Sequence, residues 1–335
     1  MLQELFIYPF LIRILNKILN DDDKIKIIEL NKFFNDKRIK FTYDKQIKIN
    51  EYFKILWYYD CLTNISVNKA FKLPRSVTHL TIHPWIDGTF KFYRGYISKT
   101  VTNLKFGEDF NQKIYNHIPN SVKSLTFGNK FNQSVKDGIP NSVKCLTFGK
   151  HFNQPVKNDI PNSVKSLTFG NHFNKSIENV IPNSVTDLIF GWNFNQNIQN
   201  CIPNSVINLT FDFEFNQPIE NCIPNSVKYL KFGSYFNQNI EGCIPNSVEV
   251  LKFGSYFNQN IEGCIPNSVK HLTLGVYFSK SIESLPNSIV YLNFSSFYRQ
   301  QLMKLPSKLQ TFKTLRFKVF NLTTDEFIKR YNEID

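Results

Sequence analysis

The sequence predicts a repeat solenoid made of stacked parallel β-strands, preceded by a short helical segment. The prediction rests on a strict period, because the pentapeptide IPNSV occurs eight times at intervals of 21 residues, from Ile118 to Ile265. Four looser copies flank this run and begin at Leu73, Ile97, Leu285 and Leu305. About twelve rungs of 21 residues therefore extend from residue 73 to residue 314. Such a period, with one short apolar run per unit, is typical of a solenoid with one strand per turn.

Each rung is expected to contribute one short strand to a continuous sheet. In the first strict rung, Leu125 and Phe127 alternate with Ser124 and Thr126, so the two pairs point to opposite faces of the strand. Phe131 lies on the segment that returns through the interior. A single rung cannot bury these apolar side chains, whereas stacked rungs share one core.

Asparagine follows the second Phe of each full rung, from Asn111 to Asn258. An Asn side chain offers both an acceptor and donors, and it readily bonds to nearby backbone groups. We expect these residues to bond the backbone of their own and neighbouring rungs. The column is therefore interpreted as a structural ladder.

The repeating unit I-P-N-S-V-K-x-L-x-F-G-x-x-F-N-Q-x-I resembles the FNIP repeat, named for its Phe, Asn, Ile and Pro residues. The resemblance covers about residues 62–314, and the motif is highly specific. FNIP repeats occur in social amoebae and in giant viruses that infect amoebae, and they are related to leucine-rich repeats. The resemblance implies a leucine-rich-repeat-like stack of parallel β-strands. The Asn falls two places later than the leucine-rich frame expects, so the geometry opposite the sheet is left open.

The outward strand positions vary from rung to rung, whereas their apolar neighbours repeat. In leucine-rich solenoids this face is the surface on which partners dock, so the variation predicts a protein-binding face. Drift at positions that packing does not restrain is the alternative. Tyr229, Tyr291, Lys231 and Lys252 form the richest mixture of anchor types. The predicted protein-binding residues are Ser124, Cys145, Ser166, Asp187, Asn208, Tyr229, Lys231, Val250, Lys252, His271 and Tyr291.

Residues 1–50 lack the repeat and are predicted to form two helices joined by an acidic turn, because their apolar residues follow helical spacing. The segment resembles an F-box, although the usual Leu-Pro opening is absent. This resemblance implies recruitment of a Skp-type adaptor and a cullin. The expected adaptor-binding residues are Leu11, Ile14, Ile18 and Phe33. A helical cap for the solenoid is the alternative.

The remaining boundaries follow from where the repeat pattern starts and stops. Residues 51–72 are interpreted as a joint that includes a truncated first rung at 62–67. The solenoid is assigned to residues 73–314 and a C-terminal cap to residues 315–335. A short helix is expected over residues 325–331 of this cap.

The formal net charge of +13 is unevenly distributed along the chain. Residues 73–180 contain 14 Lys and Arg against 6 Asp and Glu, whereas residues 181–314 contain 9 against 8. Lys123, Lys144 and Lys165 form a basic row at the repeat period. This row could meet phosphate or an acidic protein, or it could be a solvated face. Nucleic acid is not the expected partner, because no aromatic or Arg-rich nucleic-acid motif accompanies the row.

Four cysteines at the repeat period, Cys201, Cys222, Cys243 and Cys264, invite comparison with a metal site. Stacked positions lie in a line rather than a tetrahedron, so we interpret the column as small residues tolerated in a turn. The sequence has no Gly-rich phosphate loop, nucleophile elbow or metal-spaced His pair. We therefore expect no enzymatic activity, cofactor or metal.

The lengths of the apolar runs bear on the cellular location of the protein. None reaches membrane-spanning length, and no cleavage site follows the apolar N-terminus. We expect an intracellular protein, located in the cytoplasm of the host if the protein is viral. Its cysteines should then be reduced.

Overall fold

The computed structural model describes residues 47–49, 64–67, 77–82, 94–294, 298, 303–313 and 328. The chain divides into two compact units. The first unit comprises Met1–Phe131 and Asp137–Val143, and the second comprises Asn132–Lys136 and Lys144–Asp335. Each unit is a parallel β-solenoid with one short strand per turn.

The first unit contains a run of parallel strands in continuous register. These strands are β1 (Ile47–Ile49), β2 (Asn64–Val67), β3 (His79–Ile82), β4 (Asn103–Phe106) and β5 (Ser124–Thr126). Strand β2 lies where the sequence predicts the truncated first rung, and β1 is an additional strand ahead of it. Residues paired across neighbouring strands occupy the same position of the repeat; for example, Leu80 pairs with Leu104.

The second unit continues the same plan. Its strands are β6 (Cys145–Thr147), β7 (Ser166–Thr168), β8 (Asp187–Ile189), β9 (Asn208–Thr210), β10 (Tyr229–Lys231), β11 (Val250–Lys252), β12 (His271–Thr273), β13 (Tyr291–Asn293) and β14 (Thr311–Lys313). Each pairs in parallel with the next. The predicted fold class, with one strand at each L-x-F run, is confirmed.

Two columns of phenylalanine fill the interior of most rungs. Phe169 and Phe173 stack within one rung with ring centroids 4.1 Å apart. Phe169 also stacks on Phe190 at 5.5 Å, and Phe173 stacks on Phe194 at 6.2 Å. Burying one such ring contributes about 1.5–3 kcal/mol, and each aromatic pair adds roughly 0.5–1.5 kcal/mol. Stacking of identical rungs therefore supplies the core that one rung lacks.

The turn before each IPNSV segment has a left-handed residue. Backbone φ is +56° at Asn200 and +54° at Asn221, and +65° at Gly242 in the next rung. Glycine adopts this region without steric cost, and Asn is the L-residue that tolerates it well. This requirement explains why Asn and Gly replace each other in one column.

The glycine that follows most strands is favoured by a close approach between rungs. A Cβ added at Gly170 would collide with the carbonyl oxygen of Gly149. Asp212 occupies this column in one rung, and there the turn bond from the Phe215 N–H to the Asp212 carbonyl lengthens to 3.5 Å. Backbones in this column therefore leave little room for a side chain.

Side-chain ladders join successive rungs. The Asn174 Oδ1 atom accepts bonds from the backbone N–H of Asn195 at 3.0 Å and from Gln196 Nε2 at 2.8 Å. The predicted structural role of the Asn column is therefore confirmed in the second unit. A second ladder, which the sequence did not reveal, is formed by serines: the Ser205 hydroxyl donates to the Val185 carbonyl at 2.7 Å.

Several predictions fall on residues that the structure does not describe. The helical F-box-like segment lies outside the described residues except for β1. Its predicted adaptor-binding residues Leu11, Ile14, Ile18 and Phe33 are among those outside. The predicted C-terminal cap also lies outside them, except for residue 328.

Candidate protein-interaction surface

The outward strand positions of the second unit form one continuous surface. Register places Tyr229 opposite Val250, Val250 opposite His271, and His271 opposite Tyr291. Lys231 lies opposite Lys252 in the neighbouring column. Lys231 and His271 are exposed, and the others are half-buried. The structure thus brings these predicted residues together on an accessible face, and their role in binding stays a prediction.

Specific contacts hold the aromatic part of this face in place. The Lys252 Nζ atom lies over the Tyr229 ring, 5.1 Å from its centroid. A cation–π contact contributes about 0.5–1 kcal/mol at an exposed site and about 2 kcal/mol when it is desolvated, and these two residues are half-buried. The His271 and Tyr291 rings lie 5.8 Å apart. The face therefore presents partly ordered aromatic and cationic groups, which are the residue types enriched at binding hot spots.

The other predicted face residues of the second unit are polar. Cys145 lies opposite Ser166, which lies opposite Asp187. Asp187 accepts bonds of 2.6 Å from the Thr186 hydroxyl and from Asn208 Nδ2. In the first unit, Ser124 is half-buried on β5. The polar end of the face is thus organised by side-chain hydrogen bonds.

The basic row lies one residue before each strand. Lys123 is exposed in the first unit, and Lys144 and Lys165 are exposed neighbours in the second. Further along this column Glu249 forms ion pairs with Lys270 at 3.1 Å and Lys228 at 3.8 Å. The hydrogen bond from Lys270 is the main cause that lowers the pKa of the Glu249 carboxyl. One carboxylate thus offsets part of the positive charge of two lysines at this part of the column.

An exposed aromatic ladder, which the sequence reasoning missed, follows the strands of five successive rungs. Its centroid separations are 4.1, 4.8, 5.0 and 5.0 Å in chain order. Phe213 is half-buried and the other four rings are exposed. The aromatic ladder consists of Trp192, Phe213, Tyr235, Tyr256 and Tyr277.

The signal for this ladder was present in the sequence but divided between two columns. Trp192 and Phe213 stand two places before the second Phe of their rungs, whereas Tyr235, Tyr256 and Tyr277 stand one place before it. Apart from the buried Phe column, no single repeat position is therefore aromatic in all five rungs. Only the turn geometry brings the two columns into one line of rings.

The cysteine column consists of protonated hydrogen-bond donors. Cys222, Cys243 and Cys264 are buried, and their thiols donate to backbone carbonyls two residues earlier at 3.2–3.3 Å. Burial is the main cause that raises the pKa of the Cys222 thiol. Within the described residues, no group of three or more His, Cys, Asp or Glu side chains is arranged to hold a metal ion.

The first unit also contains an open groove of about 760 Å³ between its turns. Arg94, Lys99, His117 and Asp137 are among its lining residues. Burial lowers the pKa of His117, which favours the neutral imidazole. The cationic groups of this groove are the exposed Arg94 and Lys99.

Among the described parts of the chain, no helix combines the length and apolar character that crossing a bilayer requires.

Comparisons with known proteins agree with this architecture. The crystal structure of CroV588, described as a circular LRR protein, is 39% identical to this chain with a TM-score of 0.71. The match covers 82% of this chain and 42% of CroV588, so the chain spans less than half the length of that protein. No curated protein matches the chain.

The family is shown by the repeats themselves. The FNIP repeat model matches five tandem segments, at residues 91–130, 131–172, 173–214, 215–256 and 257–297. These segments include more than half of the sequence. They contain strands β4 to β13, the Phe columns and the Asn ladder described above. The chain therefore belongs to the FNIP repeat family.

Proposed function

We propose that this protein is an intracellular adaptor that captures a protein partner on the outward strand face of its second unit. The leucine-rich-repeat-like fold is typical of binding modules rather than of enzymes. The observation that carries the proposal is the grouping of Tyr229, Lys231, Lys252, His271 and Tyr291 on adjacent strands. Aromatic and cationic residues of this kind dominate the binding energy of protein interfaces.

We further propose that the captured protein is delivered to a Skp-cullin-F-box-type ubiquitin ligase. Support comes from the two predicted N-terminal helices, whose apolar residues Leu11, Ile14, Ile18 and Phe33 would contact the adaptor. The protein would contribute no catalytic residue, because its role is to hold the substrate near the ligase. In the alternative, the protein is a scaffold without a ubiquitin role and these helices cap the solenoid.

Two orthogonal variants separate these roles. Affinity capture from amoeba lysate compares the full chain with a Leu11→Asp/Ile14→Asp variant and a Tyr229→Ala/Lys252→Ala variant. The first variant should lose the Skp-type adaptor and cullin but keep the captured protein, and the second should show the reverse. If the unmodified chain retrieves no adaptor or cullin, the ubiquitin role is excluded. If the Tyr229 variant retains every partner, the strand face is not the binding surface.

Binding of an anionic polymer is a second candidate, favoured by the basic row. Lys144 and Lys165 are exposed neighbours with no anionic side chain paired to them in the described part of the chain. Polymer binding would weaken steeply with salt, since it releases counterions. Binding measured against heparin across a salt series tests this candidate. A salt-independent signal, or one that Lys144→Gln/Lys165→Gln leaves unchanged, excludes it.

A further inference from the structure

We propose that the aromatic ladder is a self-association surface, on which a second copy of this chain docks in antiparallel orientation. The second copy is a different partner from the protein captured in the proposed function. The two surfaces are adjacent, because Lys231 of the strand face lies on the same rung as Tyr235 of the ladder. The inference rests on three properties of the second unit: the exposure of the rings, their close spacing, and the distribution of charge beside them.

The ladder is large enough to be a binding surface. The exposed fraction is 43% for Trp192, 45% for Tyr235, 43% for Tyr256 and 55% for Tyr277. These fractions leave on the order of 400 Å² of aromatic side chain accessible, in a line about 20 Å long. Contiguous apolar patches of this size on a soluble protein usually mark interaction sites. Ile189, which is 41% exposed on the Trp192 rung, extends the patch toward the strand.

The rings of the ladder are closely spaced. The Tyr235 and Tyr256 planes are within 5° of parallel at a centroid distance of 5.0 Å, whereas the Phe213 and Tyr235 planes meet at 82° with their centroids 4.8 Å apart. Separations of 4.1–5.0 Å leave no room for a sugar or a nucleic acid base to insert between successive rings. A closed row of exposed Trp and Tyr side chains suits contact with another protein surface, where Tyr and Trp are enriched.

Charge beside the ladder changes sign along its length. From the residue immediately before the strand to the second Phe, the Trp192 and Phe213 rungs carry Asp187, Asp212 and Glu214 and no cation. The corresponding segments of the next three rungs carry Lys228, Lys231, Lys252 and Lys270, with Glu249 as the one anion. Glu249 is paired with two of these lysines. The ladder is therefore acidic at its N-terminal end and basic at its C-terminal end.

A surface with this distribution is complementary to itself after a half turn. A two-fold axis between the Phe213 and Tyr235 rungs would place Phe213 against Tyr235 of the second copy, and Trp192 against Tyr256. The same operation would place Lys231 against the rung of Asp212 and Glu214. Two-fold contacts of this isologous kind are the commonest way in which soluble proteins assemble. The four overlapping rings provide less than half of the roughly 800 Å² per partner that a stable interface buries, so the strand-side residues must contribute the rest.

Sedimentation equilibrium of the full chain at micromolar concentrations tests the aromatic contacts. The unmodified protein should dimerise, and Tyr235→Ala should raise the dimer dissociation constant by roughly tenfold or more, because the ring is central and each change acts twice. Tyr277→Ala should have little effect, since Tyr277 lies beyond the four-ring overlap. Tyr115→Ala is the matched control, because Tyr115 is 57% exposed in the first unit. Circular dichroism of each variant checks that it is folded.

A charge exchange tests the antiparallel arrangement. Lys231→Glu and Asp212→Lys/Glu214→Lys should each prevent dimerisation, because each places like charges opposite one another. An equimolar mixture of the two variants should form a heterodimer, and high salt should weaken this rescue.

The two proposals fail in distinguishable ways. A wild-type chain that stays monomeric, or a dimer that Tyr235→Ala does not weaken, overturns self-association. Failure of the mixed variants to pair overturns the antiparallel arrangement. Affinity capture with the Tyr235→Ala variant tests the proposed function separately, because this variant keeps Tyr229 and Lys252. We expect the variant to retain the captured protein. If the unmodified chain is monomeric and the Tyr235→Ala variant loses the captured protein, the ladder binds that protein rather than a second copy of this chain.

Discussion

Replacing Asn195 with alanine should destabilise the second unit by about 2 kcal/mol. The Asn195 Oδ1 atom accepts the backbone N–H of Asn216 at 3.0 Å and Gln217 Nε2 at 2.9 Å. The alanine variant loses both bonds, but Gln217 Nε2 keeps the Asn195 backbone carbonyl, 3.2 Å away, as a partner. The main cost is therefore the half-buried N–H of Asn216, because leaving a buried donor unsatisfied costs about 1–3 kcal/mol.

Urea unfolding and amide hydrogen exchange measure this effect together. Exchange at the Asn216 amide should accelerate, because its acceptor is gone, and the change should fade within a rung or two, since each rung contacts only its neighbours. Asn197→Ala is the matched control: its Oδ1 atom accepts the Gln199 N–H at 2.8 Å in an exposed turn, where water can substitute. Equal losses of stability in the two variants, or unchanged exchange at Asn216, would refute the ladder's energetic role.

Three further predictions concern the turns and thiols. Gly170→Ala should cost about 1–3 kcal/mol in urea unfolding, because its Cβ meets the Gly149 carbonyl oxygen; a neutral result would mean that the backbones separate easily. Asn200→Gly should be nearly neutral in thermal unfolding while Asn200→Val is destabilising, since φ there is +56°; equal melting temperatures would contradict this. Iodoacetamide at mildly alkaline pH should modify the exposed Cys145 before the buried Cys222, because the raised pKa of Cys222 leaves less thiolate. Mass spectrometry of the labelled peptides reports the order, and faster labelling of Cys222 would contradict the buried geometry.

Much of the fold could be predicted because the 21-residue period repeats the same local pattern. Leu167 was expected inside and Ser166 outside, since strand residues alternate between faces, and the structure agrees. The outward positions of Tyr229 and Lys231 followed from the same alternation. The strand-face part of the candidate surface was thus accessible to sequence reasoning, although its function was not.

The aromatic ladder was not accessible in this way. Trp192 and Tyr235 occupy different positions of the repeat, so no sequence period links them. Their alignment depends on the turn after the strand, where the Tyr235 N–H bonds the Phe213 carbonyl of the preceding rung at 2.9 Å. A side chain's direction in such a turn depends on backbone contacts between rungs rather than on local alternation.

The sequence by itself determined the period of the rungs, the strand in each repeat over residues 73–314 and the residues that face the core, because these follow from local alternation repeated at one period. Only the tertiary structure decided which side chains meet between rungs. Lys252 lies over Tyr229, and Asn195 accepts the N–H of Asn216, because parallel register brings residues one period apart into contact. Such contacts depend on stacking distance and side-chain direction, and neither quantity is encoded in the composition of a single rung.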